Sequence, residues 1–322
     1  TYPDHVQVTW NASADAGIYR LHRCSVISDK CTPITYQTGT SAKDTDGKNN
    51  TVYNYRVMAC RQWDSCSILS EADEGHRGFV VTAGESGAWY DPSHDGEGFF
   101  LQVLSDTQAV VYWFTYDTNG NQLWMTGVGD IKGAKIKFPE LVSPHGGKFG
   151  PDFDPSEVSQ PVWGSLDFEF SDCNSAVVRY DGPKGFRDGE LNVVRTTSIW
   201  GLGCGGEYSP NVSTGTGFLN AGFSGSWFDI DHAGEGFVIE ILNETTADVM
   251  WFTYDTQGNP VWIAALGYIV GTTIFIDDFQ ITSGGVFGPD FNSEDVVREH
   301  WGQAAFNFTS CGNDGVAGVM QY

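Results

Sequence analysis

The chain has 322 residues, with 41 acidic against 17 basic side chains and a formal net charge of -24 at pH 7. A charge of that sign repels nucleic-acid phosphate and anionic membrane surfaces at long range, and leaves neutral glycans, cationic ligands and Ca²⁺ as compatible partners. The apolar runs are strand-sized, short of the roughly 18–20 residues that cross a bilayer, so no transmembrane segment is expected.

In chain order, residues 1–78 alternate with a period of two. Val6, Val8 and Trp10 share one strand face, Tyr19, Leu21 and Arg23 alternate with Ile18, Arg20 and His22, and Tyr53, Tyr55, Val57 and Ala59 line one side of a further strand. Alternation at this period buries every second side chain, and the Asp, Gly and Ser clusters between segments mark turns. Cys24 and Cys31 lie seven positions apart, and Cys60 and Cys66 six apart. Both spacings suit disulfides across hairpins in an oxidising compartment, with four reduced, buried thiols as the alternative. The opening TYPDHVQVTW carries no signal peptide and reads as the start of a mature or trimmed chain.

The segments VQVTWNAS, IYRLHRC, YNYRVMAC and CSILSEAD resemble a fibronectin type III domain. The resemblance covers the first quarter of the chain and implies a β-sandwich that serves as a spacer or binding module. It also implies that Tyr53 is the corner tyrosine, its hydroxyl capping backbone groups.

The rest of the chain is written twice. Residues 87–117, GAWYDPSHDGEGFFLQVLSDTQAVVYWFTYD, correspond to residues 225–255, GSWFDIDHAGEGFVIEILNETTADVMWFTYD, at an offset of 138 (225 − 87). KFGPDF and VFGPDF, Trp163 and Trp301, and Cys173 and Cys311 keep the same offset. One domain used twice is the reading, with copy one at 84–205, a Ser-, Gly- and Thr-rich linker at 206–223 and copy two at 224–322. Copy two stops near the position of Tyr180 in copy one, whereas copy one continues to Cys204. Cys173–Cys204 is the expected bridge, and Cys311 is left without an obvious mate. An intermolecular bond or a Cys204–Cys311 bridge stays open. The unit is similar to repeats in uncharacterised secreted bacterial proteins, which implies location but no chemistry.

Within the repeat, Phe99–Leu104, Ala109–Asp117 and Gln122–Val128 read as strands, and Asn119-Gly120 as a tight hairpin turn. With Thr118 opposite Asn121, Tyr112, Phe114 and Tyr116 join Leu123 and Met125 on an apolar face. Trp113, Thr115 and Trp124 then gather on the other, as do Trp251, Thr253 and Trp262 in copy two. That second face is read either as a ligand surface or as a further layer of core. Short meandering antiparallel strands predict an all-β fold: a fibronectin type III-like sandwich followed by two tandem small antiparallel β-barrel or β-sandwich domains.

Two polar clusters remain. In DPSHDGEGF and DIDHAGEGF, His94 and Glu97 match His232 and Glu235. They read as acid–base groups, as hydrogen-bonding partners for sugar hydroxyls beside the Trp rings, or as turn-holding groups. The GPDF loops carry Asp152, Asp154 and Asp290, which read as calcium ligands or as turn and cap residues. No other cofactor is expected. One His per GEGF loop argues against zinc catalysis, and neither a GxSxG elbow nor a nucleotide-binding glycine loop is present.

The expectation is a secreted or cell-surface, noncatalytic module array that binds extracellular polysaccharide or glycoconjugate. Its alternatives are a glycan-cleaving hydrolase or lyase using His94 and Glu97 or His232 and Glu235, and an adhesive or spacer region of a larger surface protein whose other domains are partners.

Overall fold

The period-two alternation of the first 80 residues becomes seven strands: β1 (Val6–Thr9), β2 (Ile18–Ser25), β3 (Cys31–Gln37), β4 (Ser41–Asp44), β5 (Tyr53–Gln62), β6 (Ser65–Cys66) and β7 (Asp73–Gly75). The computed structural model describes residues 5–48, 50–62, 65–206, 208, 219–309 and 318–322. They fall into two units, Thr1–Val80 and Val81–Tyr322.

In the first unit β1 pairs with β4, and a second sheet runs β3-β2-β5-β6 with β7 on β5. Tyr19, Leu21 and Arg23 stand opposite Ala59, Val57 and Tyr55, so the expected faces form and Val6, Leu21, Ala42 and Tyr55 make the core. At one end of that core lies the buried carboxylate of Asp44. Arg23 Nη1 donates to both its oxygens at 2.9 Å and the Tyr55 hydroxyl donates at 2.7 Å. Tyr53 accepts the Lys48 backbone N–H at 3.2 Å. Cys24–Cys31 and Cys60–Cys66 are disulfides across paired strand positions, as their spacing predicted.

Copy one contributes β8 (Gly87–Tyr90), β9 (Gly98–Val103), β10 (Gln108–Tyr116), β11 (Gln122–Lys132), β12 (Lys135–Val142), β13 (Val162–Asp172), β14 (Ser175–Asp181) and β15 (Asp188–Arg195). They close into an eight-stranded barrel in which β15 pairs with β8. Its interior is aromatic: Trp89 meets Phe168 and Phe170 edge-on, and Phe99 packs on Trp113. Cys173–Cys204 is a disulfide, as expected.

Copy two contributes β16 (Gly225–Trp227), β17 (Gly236–Ile241), β18 (Thr246–Tyr254), β19 (Pro260–Val270), β20 (Thr273–Ser283), β21 (Val297–Phe308) and β22 (Gly318–Gln321). They form one curled seven-stranded sheet that begins at β16 and ends at β22. Its entry repeats that of copy one. Leu219 N–H bonds Gly271 O where Val81 N–H bonds Gly133 O, and Asn220 caps the short turn Ala221–Phe223 as Thr82 caps Ala83–Glu85. Leu219–Phe223, read as linker from sequence, therefore belong to the fold of copy two, with Leu219 fully buried. Residues 207 and 209–218 of that linker, and Cys311, lie outside the described residues.

The β10–β11 hairpin corrects the sequence reading. Tyr116 pairs with Gln122 and Phe114 with Trp124, one step away from the register that sets Thr118 against Asn121. The cause is Asp117. Its carboxylate accepts the backbone N–H groups of Asn119 and Asn121 and the Asn121 side-chain amide. Asp117 N–H also bonds Asn121 O. The loop is thus three residues long, with Gly120 supplying the left-handed position at φ 87°, a second standard solution for hairpins. Asp255, Asn259 and Gly258 repeat it in copy two. A one-step slip moves every side chain to the other face, so Trp113 and Trp124 point to opposite sides.

Candidate functional site

The GEGF loops hold the most concentrated polar groups, and their bonds define their part. Glu97 Oε1 lies 2.7 Å from His94 Nδ1, and Glu97 Oε2 accepts the Thr115 hydroxyl. The Tyr116 hydroxyl donates to Gly96 O at 3.0 Å. Asp91 Oδ1 accepts from Ser93 N and Oγ, while Asp91 Oδ2 accepts Asn192 N of β15 at 2.8 Å. These bonds tie the loop to β10 and β15. The Glu97 hydrogen bond, ahead of the opposing effect of burial, raises the His94 pKa. Copy two repeats the set: Glu235 Oε1 is 3.1 Å from His232 Nδ1, Glu235 Oε2 accepts the Thr253 hydroxyl, and Tyr254 donates to Gly234 O at 2.7 Å. Burial raises the Glu235 pKa.

The indoles expected to line a ligand face are buried in two different places. Trp113 is 1% exposed inside barrel one with Thr115 on the same face; Trp124, 3% exposed, packs between the copies. Trp251 and Thr253 face the interior of copy two, while Trp262 faces copy one. The expected shared Trp surface is therefore replaced by two separate buried environments, as the corrected register requires.

The copies meet through a pseudo-twofold arrangement that uses equivalent residues reciprocally. Trp124 Nε1 donates to Thr253 O and Trp262 Nε1 to Thr115 O, both at 3.1 Å. Phe114 packs on Trp262 and Trp124 on Phe252. The GPDF loops cross over. Phe287 of copy two enters the mouth of barrel one against Trp113, Trp163, Tyr180 and Phe186. Phe149 of copy one enters copy two against Trp251, Trp301 and Tyr322. Phe291 stacks on His94 at 4.9 Å, and Phe153 packs on His232 at 5.0 Å. Of the acidic residues in these loops, Asp154 accepts from Ser156 N and Oγ and so caps a short turn, while Asp152 and Asp290 are exposed. The groupings of metal-competent atoms among the described residues each include disulfide sulfurs, Cys24 and Cys31 in one and Cys173 and Cys204 in the other.

The copies differ on one side. In barrel one, β15 lies between β14 and β8. Among the described residues, the sheet of copy two has β22 and β16 as its two edges, and a cavity of 920 Å³ lies beside them. Trp227, Phe237, Trp251, Phe308 and Met320 supply its apolar wall, with Glu235 and His232 at one side. Register places Tyr322 where copy one has Tyr180, since Asn307 pairs with Val319 as Glu169 pairs with Val177. Tyr180 is 8% exposed and Tyr322 62%. Phe228 and Ile230, which also line the cavity, are exposed as well. An apolar rim of this kind marks an interaction site more often than a plain surface. The buried Trp251 indole N–H has no hydrogen-bond partner among the described residues.

Of the residues singled out from sequence, Trp251, His232 and Glu235 line this cavity. Trp124 and Glu235 border a smaller hollow of 230 Å³ between the copies. Trp113, Thr115, Thr253, Trp262, His94 and Glu97 line neither. Sequence reasoning missed Trp227, Phe228, Met320 and Tyr322.

No protein-family model matches the chain, and no curated protein matches it. The protein is all-β and multidomain, with disulfide-bonded sheets. Among the described residues, no helix is long and apolar enough to cross a membrane.

Proposed function

We propose that the protein is a secreted, noncatalytic binding module in which copy two carries the binding site and copy one is its closed scaffold. One observation carries the reading: among the described residues, copy two holds a 920 Å³ cavity walled by Trp227, Phe237, Trp251, Phe308 and Met320, with His232 and Glu235 at one side. Pockets of this size and lining take up ligands by apolar burial, with a few polar groups fixing orientation. Glu235 and the overall negative charge favour a neutral or cationic chain as ligand. An extended polymer, glycan or polypeptide, fits a slot open along its side. The first unit, with its resemblance to a fibronectin type III domain and two disulfides, serves as an extracellular spacer.

The test is titration with the neutral dye Nile red, followed by its emission, on the parent protein and on the double variant Phe228→Ala, Tyr322→Ala. The expected result is one site per chain, weakened at least tenfold in the variant. Equal uptake by both proteins, or no uptake by the parent, overturns the assignment.

A further inference from the structure

We infer that the hollow of 230 Å³ between the copies is a binding site for a guanidinium group. The volume lies below the range of about 300–1,000 Å³ that takes drug-sized ligands, and limits the occupant to a group of side-chain size. The inference goes beyond the reading of the 920 Å³ cavity and stands without it.

The pseudo-twofold arrangement supplies an internal comparison. Val158 of copy one lies against Gly234 of copy two, as Val296 lies against Gly96: a Cβ on either glycine would meet a valine methyl, at 3.0 and 2.9 Å. Two residues further on, Gln160 therefore stands at the position of Arg298, and Ala233 stands at that of Asp95. On the Arg298 side the molecule holds a guanidinium of its own, with Arg298 Nη2 3.3 Å from Asp95 Oδ1. Beside it, Tyr116 Oη and Gln122 Nε2 both donate to Thr282 Oγ1, at 2.8 and 3.2 Å. On the other side Pro144 replaces Thr282, and Pro144, Gln160 and Ala233 all line the hollow. The space thus falls where the related position carries an arginine and its counter-ion.

The walls suit such a cation. Trp124, Phe237 and Phe252 line the hollow, with Phe228 exposed at its rim. Aromatic faces attract cations, and a guanidinium also stacks on them. The Tyr112 hydroxyl donates to Ser226 Oγ at 3.0 Å, and Ser226 donates to Gln102 Oε1 at 2.7 Å. Tyr112 and Ser226 line the hollow, and at the related positions Met250 and Ala88 carry no hydroxyl. Their oxygens add acceptors to an otherwise aromatic lining. Glu235 supplies a carboxylate at the wall, and the net charge of -24 draws cations toward it.

Shape and hydration decide among cations. A guanidinium is planar, weakly hydrated and carries five donors in a fixed fork, which matches ring faces flanked by hydroxyl and carboxylate oxygens. An ammonium is compact and strongly hydrated, and gains less from the same walls.

The experiment titrates the intact protein calorimetrically with N-acetylarginine amide. The expected result is one saturable site per chain. N-acetylcitrulline amide, of the same shape without the charge, and N-acetyllysine amide should each bind at least tenfold more weakly. The double variant Gln160→Arg, Ala233→Asp rebuilds the ion pair of the related side and should abolish binding. No saturable binding by the parent, equal binding of the citrulline or lysine compound, or full binding by the double variant overturns the inference. The comparison of the three compounds on the parent stands even where the variant does not fold. Methylguanidine separates the sources of the group: binding as tight as that of the arginine compound supports a small guanidinium compound, and weaker binding supports an arginine residue of a peptide. Nile red uptake without guanidinium binding overturns this inference alone, and guanidinium binding without dye uptake supports it while removing the larger cavity as a site.

Discussion

Trp124 and Trp262 occupy the same position in the two copies, and each donates its indole N–H to a backbone carbonyl of the other copy, Thr253 O and Thr115 O. The reciprocity accounts for much of what the two repeats share. WFTYD supplies the packed face, GPDF the crossing rings, and GEGF the loop on which the rings of the other copy rest. Close approach adds its own demand. A Cβ on Gly285 would overlap the Tyr116 ring, as one on Gly147 would overlap Tyr254.

Replacing Trp124 by Phe keeps an aromatic ring but leaves Thr253 O without its donor. An unmet buried acceptor costs about 1–3 kcal/mol. The expected outcome is a lower unfolding midpoint in calorimetry, with Trp262→Phe giving a loss of similar size. A large difference between the two variants would contradict the pseudo-twofold account.

Phe287→Ala removes the ring that fills the mouth of barrel one, where four aromatic side chains surround it. Truncating a buried Phe costs about 3–5 kcal/mol. Trp113 should also become accessible to acrylamide quenching. Unchanged quenching and stability would show that the mouth is closed by other means.

Glu240 and Asp248 stand directly opposite each other on β17 and β18. Burial pushes Glu240 up to about 8 and Asp248 up to about 7. Both values exceed those of the unfolded chain. Their stabilising effect is therefore complete below the ordinary carboxylate range and is lost as pH rises through 7 to 8. Glu240→Gln retains an acceptor for the Thr197 hydroxyl, which donates to Glu240 Oε2 at 2.5 Å. The variant should melt on the order of 5 °C above the parent at pH 8 and alongside it at pH 4. A pH-independent difference would remove the carboxylate as the cause.

In the first unit, Asp44 is buried with Arg23 and Tyr55 as its partners. Asp44→Ala leaves the guanidinium without its counter-ion, at a cost of about 3–5 kcal/mol. Chemical denaturation should show the loss in the transition of residues 1–80 and leave that of 81–322 in place. A change confined to the second transition would count against this account.

The sequence by itself determined the strands, the duplication and the two hairpin disulfides, because these depend on period-two alternation, a fixed offset and short separations along the chain. Tyr53, Tyr55 and Val57 declared their face at once, since one buried side leaves no other arrangement. Tertiary structure decided the rest. The hairpin register turned on whether Asp117 caps a longer loop, a contest between two turns close in energy, and that single step sent Trp113 inward and Trp124 between the copies. The reciprocal rings depend on residues 129 and 147 positions apart meeting in space, which no local pattern records. Only the folded sheet brings β16 and β22 to the sides of one cavity.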